Sequence, residues 1–224
     1  MSTLDQLFGE SNGLAEYAGR YALYLGSLLA DLDCEAIGRV GKVLEEARRS
    51  NRTIFILGNG GSASTASHLA NDLGLGPRHK GGKAYRAISL TDNVAFLTAA
   101  ANDIGYELVF TEQLRTLLQP GDVVIAISAS GNSPNVLRAV EFAQKRGAFT
   151  IGLTGFDGGA LKKIGDDCIH IATPHGDYAP VEDVHLILGH LVASYLTRLT
   201  AGAPQKRGLE VAAPQDSDSA YQQT

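Results

Sequence analysis

The stretch TIFILGNGGSAS at residues 53–64 decides the fold. Thr53 to Leu57 is a short, mostly apolar run rich in β-branched residues, and it predicts a strand. The run ends at Gly58-Asn59-Gly60-Gly61, where glycine lets the backbone turn tightly and approach a ligand closely. Residues 62–73 then have helical character. A helix starting straight after such a loop offers unpaired N–H groups and a positive dipole end. Ser62 and Ser64 add hydroxyl donors, so the loop suits a phosphate monoester. It lacks the Lys-Ser/Thr pair of a P-loop, and its third glycine is displaced from the dinucleotide fingerprint.

The same logic recurs further along. Residues 122–128, DVVIAIS, read as a strand, and Ser128-Ala129-Ser130-Gly131-Asn132-Ser133 follows before a helix at 133–146. Three serines exceed what turn chemistry needs. Ser133 also reads as a helix N-cap. Further strands are expected at 84–90, 148–153 and 167–172, and a closing helix at 184–199. Short apolar strands separated by helices predict an α/β protein with a three-layer, doubly wound parallel sheet. Ligands in such sheets bind at the carboxyl ends of the strands, where the two serine loops would converge.

Ahead of the sheet, residues 14–50 show apolar positions three and four apart, with a break near Asp33. This predicts N-terminal helices over residues 1–50 that pack on the core or on a neighbouring subunit. Tyr17, Tyr21 and Tyr24 suit either setting. Residues 51–200 form the ligand-binding domain. Residues 201–224 lose periodicity and gain Ala, Gly, Pro, Gln and Ser, as in a flexible tail.

Composition narrows the function. Among 224 residues there are 26 glycines but only 7 prolines, with no collagen period, so the glycines serve local needs. A net charge of −5, without a Lys/Arg block, argues against nucleic-acid binding by phosphate neutralisation. No uninterrupted apolar run of about 18 residues is present, so no membrane span is expected. Cys34 and Cys168 match no metal or redox spacing. The opening MSTLDQLFGE carries acidic residues and no apolar leader core, so a cytoplasmic location is expected.

Acid/base and metal-ligating residues cluster in two places. His68 and Asp72 are four apart on the helix after the first loop, about 6 Å along its axis and on one face. That spacing suits two ligands of one metal, or a carboxylate orienting an imidazole. Glu182, Asp183, His185 and His190 lie on the last helix region. Glu182 and His190 are eight residues apart, which spans about 12 Å. His190, among Leu188, Leu191 and Val192, reads as a ligand or as a packed histidine.

The motifs GNGGSAS, ISASGNS and LTGFDGG, in this order, resemble SIS (sugar isomerase) domains, and most closely phosphoheptose isomerases. The Thr91-Asp92-Asn93 and Ala101-Asn102-Asp103 segments also match, and the likeness runs from about residue 14 to 199. The resemblance implies a flavodoxin-like SIS fold and conversion of sedoheptulose 7-phosphate to D-glycero-D-manno-heptose 7-phosphate. It implies substrate contacts from Asn59, Gly60, Gly61, Ser62, Asp92, Asn93, Ser128, Ser130, Ser133 and Glu182. It implies a divalent metal, zinc in many members, on His68, Asp72, Glu182 and His190, with Asp72, Glu182 and His190 in acid/base roles. Asp72 stands where the family has Glu, and Glu182 where it has Gln. A homotetramer with sites near subunit interfaces is also implied. The alternatives are a non-catalytic SIS-fold regulator of the replication-initiator-associating type, or an isomerase of another phosphosugar.

Overall fold

The structure, a computed structural model, describes residues 2–202. Three helices lead in: α1 (Thr3–Gly9), α2 (Leu14–Ala30) and α3 (Cys34–Arg49). The expected break at Asp33 is an N-cap, its carboxylate accepting from the Ala36 amide at 2.9 Å. Then β1 (Thr53–Gly58), α4 (Gly61–His79) and β2 (Arg86–Ser89) follow. Next come α5 (Val94–Asp103), a 3₁₀ turn (Tyr106–Leu108) and α6 (Val109–Leu117), which sequence reasoning did not place. The chain continues through β3 (Val123–Ser128), α7 (Pro134–Lys145), β4 (Phe149–Thr154), α8 (Leu161–Ile164) and β5 (Asp167–His170) to α9 (Tyr178–Thr200).

The five strands form one parallel sheet in the order β2-β1-β3-β4-β5. The register sets Ile54 beside Val123 and Val123 beside Phe149. This is the doubly wound flavodoxin-like order, whose switch point falls between β1 and β3. Both serine-bearing loops leave the sheet there. Alternation along β1 explains the layers. Ile54 and Ile56 face a core shared with α3, α4 and α9, which takes Leu28 from α2, whereas Phe55 and Leu57 face α5, α6 and α7. Every residue of β1 and β3 is buried, as expected for strands covered on both faces.

Three boundaries differ from the sequence reading. The second strand is shorter than 84–90, because Tyr85 turns inward to hydrogen-bond Glu45. α1 lies ahead of the apolar periodicity that starts at residue 14, within the helical stretch expected over 1–50. α9 begins at Tyr178, six residues before the expected 184, with Pro180 in its first turn, where a missing N–H costs nothing. The expected tail lies outside the described residues except for Ala201 and Gly202, which form a turn after α9. Among the described residues no helix is long and apolar enough to cross a membrane.

Candidate functional site

The first loop is built by close approach. A Cβ at Gly58 would meet Ser62 at 2.8 Å and the Ile127 carbonyl at 2.9 Å, so only glycine lets β1 turn beside β3. Gly60 has φ +55, in the left-handed region that favours glycine. α4 then begins at Gly61 with no side-chain cap, which leaves its first-turn amides for a ligand. Ser62 is buried at this helix start. Asn59 is fixed by a reciprocal amide pair with Asn135 of α7, both bonds 2.9 Å, and accepts from the Tyr106 hydroxyl at 2.9 Å. The pair ties the two loops across the switch point. Sequence reasoning missed Asn135 and Tyr106. Asn135 stands three residues after Asn132, among turn-type residues that masked it.

The second loop keeps its hydroxyls for a ligand. Ser133 occupies the N-cap position of α7, yet its side chain makes no cap bond and lies 3.4 Å from the Ser128 hydroxyl. Ser128 is buried and Ser130 half-buried. Two hydroxyls are therefore close together beside the start of α7, as an anion site requires. Asp92 and Asn93 are exposed beyond β2. Asp92 accepts from the Ser67 hydroxyl of α4, and Asn93 caps α5 by accepting from the Phe96 amide at 3.1 Å.

The histidines meet on the neighbouring face of α4 and α9. His68 Nε2 and His190 Nε2 are 2.8 Å apart, and His68 Nε2 is 3.4 Å from Asp72 Oδ2. Their ligand atoms all lie within 4.8 Å of one another. Two imidazole nitrogens and a carboxylate oxygen converging on one point fit a divalent metal of the zinc type. α4 and α9 pack directly here, with Leu69 of α4 lying over Gly189 of α9.

Glu182, expected as a fourth ligand, is not in this group. Eight residues of straight helix carry it about 12 Å from His190 along the axis. Its carboxylate instead rests on the start of α4, where a Cβ at Gly61 would lie 2.2 Å from Oε2. Burial, and then the charge of Asp183, raise its pKa above the usual carboxylate value. Asp183 accepts from the Tyr21 hydroxyl at 2.5 Å, and buried Asp177 accepts from Tyr24 and from the Thr3 and Leu4 amides. The tyrosines of α2 thus hold the start of α9. His185 points the other way and is fully buried, facing the Thr154 backbone.

Fold and site together define a SIS-domain protein. The sequence profile of the SIS domain matches residues 17–155, more than half of the chain, and the chain belongs to this family. Within it the chain sits with the phosphoheptose isomerases and is a sugar-phosphate isomerase. It is 44% identical over 151 residues to the phosphoheptose isomerase of a Nitratiruptor species, covering 67% of this chain and 79% of that one. The phosphoheptose isomerase structure from Neisseria gonorrhoeae superposes with a TM-score of 0.68 at 32% identity, over 81% of this chain and 95% of that one. The one from Francisella tularensis gives a TM-score of 0.72 at 26% identity, over 88% and 100%.

Proposed function

We propose that this protein converts sedoheptulose 7-phosphate to D-glycero-D-manno-heptose 7-phosphate. What carries the reading is the combination of two serine-lined helix starts with the His68, Asp72 and His190 cluster on the helices beside them. The substrate phosphate binds to Ser62, Ser128, Ser130 and Ser133 and to the first-turn amides of α4. Asn59, Gly60 and Gly61 shape that cradle, and Asp92 and Asn93 border the sugar.

The isomerisation passes through a cis-enediol. A base takes the proton from C1 of the ketose and returns it to C2, while a second group moves a proton between the two oxygens. Asp72 or Glu182 is the base, and His190 is its partner. Burial raises the pKa of Glu182, which favours a carboxylate that must both take a proton and give it back. A divalent metal, zinc by its donor set, would be held by His68, Asp72 and His190 and would supply Lewis-acid stabilisation of charge on the substrate oxygens.

The active form is a homotetramer with its sites near subunit interfaces. The support is the exposed position of His68 and His190 and the apolar Leu191 beside them. Two unpaired thiols suit a reducing compartment, the cytoplasm. NMR of sedoheptulose 7-phosphate mixed with the protein should show the aldose forming. Turnover should stop with a chelator, return with zinc, and fall at least 100-fold in His190→Ala. Full turnover by His190→Ala would remove that residue from the mechanism. No conversion of any ketose phosphate would turn the reading towards a binding protein.

A further inference from the structure

One motif has no part in the site as described: the LTGFDGG segment after β4. We propose that this loop is a buttress for the serine loop at 128–133, and that Phe156 is its positioning residue, wedged between the serine loop and the start of α9. The inference rests on the proposed phosphate site and adds what holds that site in shape.

Three hydrogen bonds clasp the loops together. The Gly155 amide donates to the Ala129 carbonyl at 2.9 Å, and the Leu161 amide donates to the Gly131 carbonyl at 2.9 Å. The Ala160 amide donates to Asn132 Oδ1 at 3.0 Å. The clasp is too tight for side chains. A Cβ at Gly131 would stand 2.0 Å from the Gly158 carbonyl oxygen, and one at Gly159 would stand 2.4 Å from that of Ser130. Both glycines also have positive φ.

Phe156 is the anomaly in this loop. Its φ is +51, a left-handed conformation that a bulky residue rarely holds without compensation. The compensation is visible. Its side chain is 4% exposed and packs with Ala129 and Val181 in a small cluster apart from the two main cores. Ala129 lies between Ser128 and Ser130, and Val181 directly precedes Glu182. The ring is backed by His175 and Tyr178, each with its ring centroid at 4.9 Å. One buried side chain therefore packs under the backbone that carries the phosphate hydroxyls. Phe156 acts through Ala129 and Val181, so removing it should loosen ground-state binding before it alters proton transfer.

The test compares wild type, Phe156→Ala and Phe156→Leu. Inorganic phosphate binding is read by calorimetry, KM and kcat on sedoheptulose 7-phosphate, and amide hydrogen exchange at Gly155 and Leu161. Phe156→Ala should weaken phosphate binding and raise KM about tenfold, change kcat less than about threefold, and speed exchange at both amides. Phe156→Leu should fall between, at about threefold in KM. If the alanine variant does not fold, the leucine variant carries the same test at its smaller shift. Wild-type phosphate affinity, KM and exchange in a folded variant overturn the proposal, even if the melting temperature falls. Should the wild type itself bind no phosphate, the functional reading fails separately. Exchange then decides the buttress: faster exchange at Gly155 and Leu161 supports it, and unchanged exchange overturns it.

Discussion

Two glycines at the site would both clash with an added methyl group, yet the outcomes should differ. At Gly61 the obstacle is the Glu182 carboxylate, the far end of a flexible side chain, 2.2 Å from the new Cβ. At Gly131 it is the Gly158 backbone carbonyl at 2.0 Å, and φ is +63. A side chain can swing away, whereas a clasped backbone cannot. Gly61→Ala should keep its melting temperature within about 2 °C, because few contacts change, but lose at least tenfold in kcat/KM by displacing Glu182. Gly131→Ala should lose about 2 kcal/mol or more of stability, from strain and overpacking together. Thermal melts and steady-state kinetics on the two variants separate the cases. The residue types at the site were legible in the sequence, since Gly and Ser after apolar strands have few other uses. The place of Glu182 was not. A spacing of eight admitted a shared metal, and only the straight course of α9 sends this carboxylate to the phosphate loop.

At the scale of elements, strands were easier to read than helices. β1 (TIFILG) and β3 (VVIAIS) are mostly apolar runs between turn residues, and β4 (FTIGLT) alternates apolar and small or polar residues, so little competes with a strand reading. The sequence VAFLTAAAND of α5 is small and alanine-rich, with a weakly defined apolar face, so periodicity did not reveal it. The start of α9 was hidden because Pro180 reads as a breaker until its first-turn position is known. That longer helix carries His185 inward. Burial lowers its pKa from 6.5 to about 4, against a partial offset from the Thr154 backbone and with a small further lowering by His170 on β5, whose own pKa burial also lowers. The unfolded chain therefore takes up a proton near pH 6.5 that the folded chain refuses until about pH 4. Stability attributable to His185 is intact above pH 6.5, falls as the pH drops through the interval, and is down by about 3 kcal/mol below it. Glu45, held at about 2 by Arg48 and Tyr85, loses its contribution only below about pH 4.5, and Glu182, whose pKa burial raises, opposes the decline between 6.5 and 4.5, so a fall in that window belongs to the histidines. His185→Leu should flatten most of the decline in melting temperature across that window. A decline as steep as in wild type would remove His185 as its cause.

At the scale of the molecule, several large apolar side chains stand exposed on the helices around the site. A groove of about 980 Å³ runs between α3 and α9, lined by Ile37, Leu191, Val192 and Leu199 among others. Leu191 is exposed beside the His68–His190 pair, and Leu14 and Leu23 are exposed on α2. Large exposed apolar patches mark interaction surfaces, and a closed symmetric oligomer is the usual way to cover them. Light scattering should give four copies of the 23.6 kDa chain. Leu23 offers the sharpest test, because it is 78% exposed in the single chain and touches none of the proposed site residues' hydrogen bonds. If no other copy covers it, Leu23→Glu should change stability by no more than about 0.5 kcal/mol and leave mass and activity alone. If a second copy covers it, the buried charge has no partner and the assembly should come apart. We expect the second result, with a lower mass and a loss of turnover that rises on dilution. Turnover would fall because a site near the interface loses the surface that encloses it. A variant that keeps the wild-type mass and activity at all dilutions would place Leu23 outside any interface.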